Sequence, residues 1–511
     1  AITLPEDVDL IKIIRAAREI ENITGHDSLD IEFAIANEKV YILQVRPIAA
    51  HKNSLKVFNT DVKAELENIK RFIRQQQIKS PKLAGDRTIY GVMPDWNPAE
   101  IIGINPHPLA FDLYKKIITD KIWPMSRDEI GYRKIKHHPG IFSFSGKPYV
   151  DVRMSFNSFT PKTISEKTAH KLVNFYINKL IANPHLHDKV EFDVCITSYD
   201  FTFDSKMNEL LLADFKEEEI EEIKLAFRSL TSGIVNESTI KIEDEINKTF
   251  SLTSKREVLL SSNIPVQDKI VKLIEDCIEY GTYSFSIMAR FGFFGSILLK
   301  SLMRVGVISK EEYENFFKSV NTVAKDFVKD LSQLTNEKIN KEEFLEKYGH
   351  LRPGTYDVNS KIYAENFGNY LKLGKPIPYH KDESISFSKT TIDKINKEIK
   401  KHKLNFDADT LLDFAKRATE AREKAKFEFS KSLSKALELI VDFGSNYGIN
   451  SEDVAFLNYN TIIKTTDGSI SSQVVNELFN EIGVRILSFI GVNLKDNTIT
   501  QYSELKKQQG I

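Results

Sequence analysis

Residues 30–47 read Asp-Ile-Glu-Phe-Ala-Ile-Ala-Asn-Glu-Lys-Val-Tyr-Ile-Leu-Gln-Val-Arg-Pro. Two short apolar runs, 31–36 and 40–45, flank Asn37, Glu38 and Lys39, a spacing short enough for a tight β-hairpin turn. Pro47 stops the second strand from continuing as a central one. Side chains two apart in a strand share a face, so Asp30 goes with Glu32 and Gln44 goes with Arg46. A turn within 37–39 sets Glu32 opposite Leu43 or Gln44. With Gln44 as the partner, one face presents two carboxylates, an amide and a guanidinium. A core has no use for such a face, because burying unpaired charge is costly. Phosphate chemistry does have a use for it. Carboxylates hold Mg²⁺, which binds through one or two of them plus substrate phosphates, and arginine offers a planar fork to a transferring phosphoryl group. An exposed hairpin with ordinary surface charges shows the same alternation.

Upstream, Pro5 starts a helix whose Val8, Ile11, Ile14 and Ala17 lie on one face, with Gly25 at its end. Downstream, residues 59–79 read as an amphipathic linking helix before Pro81. The stretch 90–132, with Pro94, Asp95, Asn97, Pro98 and Pro106, reads as loops and short helices. Aromatic and β-branched residues around Gly146 predict two strands within 141–159, and the alternation of Val190, Phe192, Val194 and Ile196 predicts another within 189–203. Beyond residue 216 helix dominates, with apolar spacing in 216–232, 266–280, 285–303, 311–331 and, longest, Leu411 to Ile440. Irregular chain is expected at 348–359 and 372–384, a solvated lysine-rich helix face at 394–403, and a domain edge at 505–511. The fold class is α+β, predominantly α-helical.

A chain of 511 residues exceeds what one core organises and predicts two to four domains. Its 71 Lys+Arg balance 72 Asp+Glu for a net charge of -1, which argues against a nucleic-acid partner held by a large basic surface. Cys195 and Cys277 form neither a disulfide framework nor a Cys-x-x-Cys pair, so a reducing, cytoplasmic setting is expected. The most apolar run, 285–307, is interrupted by Arg290, Lys300 and Arg304, so no membrane span is expected. Glu6, Asp7 and Asp9 stand where a signal peptide avoids acids, and residue 1 is Ala, which suggests a processed chain or a piece of a longer one.

Residues 30–47 resemble the end of the ATP-grasp nucleotide-binding domain in the phosphoenolpyruvate synthase and pyruvate phosphate dikinase family. The motif there is Asp-[Ile/Leu]-Glu, then twelve residues from the Glu to the Gln of Leu-Gln-x-Arg, matched here by Glu32, Gln44 and Arg46. The resemblance implies that Glu32 and Gln44 lie near ATP and its Mg²⁺ and that Arg46 contacts the phosphates; Asp30 matches too, either at the nucleotide or fixing the hairpin. Residues 344–358, and Ala289-Arg290 within an apolar helix, resemble the central helical domain of rifampin phosphotransferase-like members. Residues 93–98 resemble phosphoenolpyruvate synthase-like proteins encoded with surface-polysaccharide genes. The implied organisation is the C-terminal end of an ATP-grasp domain at 1–58, a linker helix at 59–89, a mixed α/β region at 90–215 and a helical acceptor-binding region at 216–511. The family's swivelling-domain histidine, in a Thr-Gly-Gly-x-x-[Ser/Cys]-His loop, has no counterpart among the eleven histidines, nor is there a phosphate-binding glycine loop. The chain therefore reads as the middle of a longer enzyme, its missing domains being partners in the same polypeptide.

Weaker constellations complete the reading. In the loop of Tyr348, Gly349, His350, Arg352 and Asp357, His350 would act as acid or base and Arg352 would hold an anionic acceptor; alternatively Gly349, Pro353 and Gly354 make it a structural turn. Arg290 either finds a buried carboxylate or lines a substrate cavity. Trp96, Trp123, His107 and Arg127 either line a pocket or pack in a core. His185 and His187 have only Asp188 as a further metal ligand, and His137-His138 have no evident partner. The function this implies is ATP-dependent phosphotransfer through a histidine on a missing domain to pyruvate or another small hydroxyl compound, the present chain being inactive alone. The alternative is a non-catalytic helical scaffold with a vestigial ATP-grasp hairpin.

Overall fold

The computed structural model describes residues 8–24, 29–37, 39–47, 62–77, 82–135, 138–371 and 387–464. The chain divides into two compact units, Ala1–Phe58 and Asn59–Ile511. Both are α+β in the sense expected, and the whole is predominantly helical.

In the first unit a helix, α1 (Val8–Thr24), packs against a two-stranded antiparallel hairpin of β1 (Leu29–Ala36) and β2 (Lys39–Pro47). The expected helix start at Pro5 lies outside the described residues. Ala36 pairs with Lys39 across the turn, and Asn37 takes φ 50, the left-handed conformation that tight hairpin turns require and asparagine tolerates. Pairing runs Ile35–Val40, Ala34–Tyr41 and Phe33–Ile42, then shifts so that Glu32 meets Gln44. Leu43 is thus the extra residue of a β-bulge.

The second unit begins with α2 (Val62–Gln76), and Gln77 exchanges hydrogen bonds with the Thr88 backbone at 2.9 and 3.1 Å. Phe72 of α2 meets Phe142 and Phe144 edge-on at 5.3 and 5.6 Å. A small sheet follows, formed by β3 (Tyr90–Gly91), β4 (Ile141–Phe144) and β5 (Lys147–Asp151) in the order β3-β5-β4. Ser145 and Gly146, at φ 49 and 80, make the turn between β4 and β5. The two strands expected within 141–159 are β4 and β5, and the chain leaves the sheet at Asp151. That carboxylate accepts a hydrogen bond from the Met154 amide at 3.0 Å and caps a helix over Val152–Ser158.

The strand expected within 189–203 is corrected. Val190–Val194 form a π-helical turn closed by the Cys195 amide on the Val190 carbonyl at 2.8 Å. Val190 and Val194 stand four apart, a spacing that suits one face of a strand or of a helix. Phe192 decides between them: it points outward, half exposed, onto Phe293 at 5.4 Å.

The helical part contains Glu217–Val235, Ile242–Ser261 and Val266–Asp276. The last runs through a π-helical turn at Cys277–Thr282 into Tyr283–Arg304. The continuous helix Val266–Arg304 is long and apolar enough to cross a membrane by length and composition alone, but 72% of its apolar window is buried inside the protein, as in a core helix. The pattern expected as one helix over 311–331 is two, Lys310–Ser319 and Val323–Thr335, capped separately by Ser309 and Thr322. The central helix, Ala408–Asn446, runs for 39 residues. A Cβ on Gly295 would lie 2.8 Å from the Ala415 Cα and one on Gly281 2.6 Å from the Phe429 Cβ, so the two long helices run antiparallel in close approach. Phe156, Tyr176, Phe203, Phe227, Phe291 and Phe414 share one core, so residues on both sides of position 215 pack together. In Lys389–Lys401, Ile395 and Ile399 are buried while Lys394, Lys397 and Lys400 are exposed, the solvated face expected. Positions 372–384 and 505–511 lie outside the described residues.

Candidate functional site

The hairpin register sets Asp30 opposite Arg46 and Glu32 opposite Gln44. The bulge is what achieves this. Without it Glu32 would face Leu43, and a one-residue slip would turn Gln44 and Arg46 to the other side of the ribbon. By register the opposite face carries Leu29, Ile31, Phe33, Ile35, Val40, Ile42 and Val45, all apolar. Glu32 and Gln44 are exposed. Among the described residues no group of three or more His, Cys, Asp or Glu could hold a metal. A Mg²⁺ bound through one carboxylate, an amide oxygen and nucleotide phosphates needs no such cage, and the oxygen donors of Glu32 and Gln44 suit that hard cation.

In the second unit the loop after the helix Lys341–Tyr348 is held by its own polar groups. The Tyr348 hydroxyl donates to Asp330 at 2.8 Å, and the Gly354 amide donates to Ser360 at 3.0 Å. His350 lies on the Phe427 ring, with Nε2 3.1 Å from the Ser430 hydroxyl. Burial first, then the charges of Lys431 and Arg256, lower its pKa to about 3. A base that weak is poorly matched to proton transfer near neutral pH. Arg352 donates to the Ser434 hydroxyl at 3.0 Å, to its carbonyl at 3.3 Å and to the Asp357 carbonyl at 3.4 Å. Both side chains tie the loop to the central helix, which is the structural-turn alternative.

A different cluster emerges where Arg127 was expected beside the tryptophans. Asp95 sits in the left-handed region at φ 67, in the loop between Pro94 and Pro98, and turns its carboxylate inward. Arg127, on the helix Ile122–Glu129, grips it through two bonds of 2.8 and 2.6 Å, and Ser155 donates to it at 2.7 Å. The side chains of Arg127 and Asp95 are only 5% and 3% exposed. Arg127 stacks over Phe159 at 4.0 Å and Trp123 at 4.9 Å.

Arg290 approaches the same Phe159 ring at 5.0 Å, with Phe293 at 5.2 Å and Phe294 at 5.6 Å. It is 3% exposed, and none of its three guanidinium nitrogens makes a hydrogen bond among the described residues. Burial, then the Asp95 charge, push Glu191 up to about 8 against the opposing pull of Arg290 and Arg127. Burial also raises the Tyr132 phenol, and the same two arginines pull it back down. The Tyr132 proton is committed to the Thr197 carbonyl at 2.5 Å.

The structure thus separates the sequence-derived candidates. No described hydrogen bond, ion pair or ring contact joins Arg290 to His350 or Arg352. Trp96 packs on Trp123 and Phe285, each at 5.9 Å, as core aromatics, while His107 lies on Phe456 and 3.7 Å from Asp357. Asp95 and Glu191 were missed as site residues; the only signal was Asp95 between two prolines and beside a tryptophan. His138 does have a partner, the buried Asp151 at 2.8 Å, and His137 lies outside the described residues. His185 is exposed and joins no metal-holding group among the described residues. Compared with known proteins, the chain matches no family model and no curated protein.

Proposed function

We propose that the chain is part of an ATP-dependent phosphotransferase resembling phosphoenolpyruvate synthase, with the hairpin as the edge of an ATP-grasp site. The observation that carries this reading is the shift at Leu43, which gathers Asp30, Glu32, Gln44 and Arg46 on one face of a ribbon whose other face is apolar. Glu32 and Gln44 would hold Mg²⁺ and nucleotide, Arg46 would stabilise charge on the transferring phosphoryl group, and Asp30 would border the nucleotide or brace the strand pair. Phosphoryl transfer asks for positioning and charge neutralisation, which such a set supplies. The group would pass through a histidine of another domain of the same polypeptide to a small acceptor, pyruvate or a hydroxyl compound, in a reducing cytoplasmic setting. Cys195 and Cys277 are free and buried, which is compatible with that setting without requiring it.

The test is ATP turnover by the polypeptide of the complete reading frame, wild type against Glu32→Ala. That change removes the carboxylate assigned to Mg²⁺, so AMP release is expected to collapse; unchanged release overturns the proposal. The present chain alone should neither turn over ATP usefully nor acquire a phosphohistidine. The scaffold reading has one observation in its favour, the commitment of His350 and Arg352 to fixing a loop. It predicts no turnover even from the complete polypeptide.

A further inference from the structure

Arg290 stands in the interior of the second unit beside the Tyr132 phenol, and among the described residues its three guanidinium nitrogens lie within hydrogen-bonding geometry of no acceptor. A guanidinium carries five N–H donors in a planar fork, and leaving such donors buried without acceptors costs each group its lost hydration. The rings of Phe159, Phe293 and Phe294 offset only part of this, since they lie near the outer limit of useful cation–π distance, and they do nothing for the in-plane donors.

The neighbouring charges do not neutralise it. Both Asp95 oxygens are engaged by Arg127, one also by Ser155, so that pair is closed and neutral. Glu191, 6% exposed, holds its proton near neutral pH, because burial and the Asp95 charge both disfavour its ionised form. One positive charge is left over.

We infer that the unsatisfied Arg290 fork, between the closed Asp95–Arg127 pair and Tyr132 and walled by three phenylalanines, is a binding site for a small singly charged oxyanion of the carboxylate class. One negative charge matches the excess, and a carboxylate meets the fork through two parallel bonds. The phenyl walls suit an apolar tail. A phosphate dianion would leave a new uncompensated charge in the same interior.

A cavity of about 240 Å³ is lined by Ile130 and Gly131, which precede Tyr132, by Pro161, which pairs with Tyr132, and by Phe291, which follows Arg290. This inference is independent of nucleotide handling by the hairpin and stands if that reading fails.

The experiment follows thermal unfolding of the whole chain at pH 7 and constant ionic strength while sodium acetate replaces sodium chloride. A ligand that binds only the native state raises the midpoint with its concentration, and a shift of about 1–2 °C is expected at acetate excess. Arg290→Met should abolish the acetate response while unfolding in chloride no earlier than the wild type, because it removes an uncompensated buried charge. Arg290→Lys, which keeps the charge and loses the fork, should raise the half-saturating acetate concentration at least ~5-fold. Acetate no better than chloride, an intact response in Arg290→Met, or inorganic phosphate outperforming acetate each overturns the inference. Should neither variant fold, magnetisation transfer from aromatic protons of the wild type to the acetate methyl decides: transfer supports the site, and its absence rejects it.

Discussion

The hairpin of residues 30–47 and the interior cluster around Arg290 use the same side-chain types and obey different physics. On the hairpin, Glu32 and Gln44 stand in water, where opposite charges gain little from each other and like charges cost little. Groups in water cost the fold little whether or not they are paired. In the cluster, Asp95 and Arg127 are removed from water, so each survives only because the other is there. Arg290 breaks that rule, which is why it points to something outside the chain. Exposed polar groups such as Glu32 and Gln44 are thus permitted by the fold, whereas buried ones are demanded by it or by a ligand.

The sharpest way to break this contrast is Asp95→Ala. Removing one partner of a buried ion pair typically costs about 3–5 kcal/mol, so the midpoint in urea should fall steeply; a variant as stable as the wild type would show that the pair is dispensable. Next comes Arg46→Ala in the complete polypeptide, expected to lower turnover ~10²-fold, as losing one pre-placed charge stabiliser does, with no change in unfolding. Equal turnover removes Arg46 from the chemistry.

A third measurement is urea unfolding from pH 3 to 9. His350 has its pKa lowered from 6.5 to about 3, so its neutral form is the folded one. The stability this contributes is complete above 6.5 and is lost as pH falls from there toward 3. Glu191 behaves oppositely. Its pKa is raised from 4.5 to about 8, so its contribution is complete below 4.5 and declines as pH rises through 8. His350→Gln should flatten the acid limb and Glu191→Gln the limb from 4.5 to 8; unaltered slopes would mean that neither group is buried in solution. The smallest effect belongs to Glu32→Gln, expected to change stability by less than about 0.5 kcal/mol as an exposed site should. A loss of several times that amount would mean that the hairpin face is packed rather than open.

The regions differ equally in how far the amino-acid order reveals them. Alternation and turn spacing located both strands of the hairpin, and the long apolar stripe from Leu411 to Ile440 located the central helix, which extends to Ala408 and Asn446. Those are local periodicities, set by backbone geometry within a few residues. They failed where one pair of residues satisfied two periods, as with Val190 and Val194.

Hydrophobic spacing and residue chemistry along the chain were sufficient for the helical character, the hairpin and the candidate status of Glu32, Gln44, Arg46 and Arg290. Three-dimensional packing alone settled the rest: that a bulge at Leu43 aligns the polar face, that His350 and Arg352 are engaged with the central helix, and that Asp95 closes on Arg127 while Arg290 goes unanswered. The reason is range. A strand face repeats every second residue and can be counted, but Asp95, Arg127, Glu191 and Arg290 are brought together from across nearly two hundred positions. Whether a charge so placed is neutralised depends on side chains that no local pattern connects.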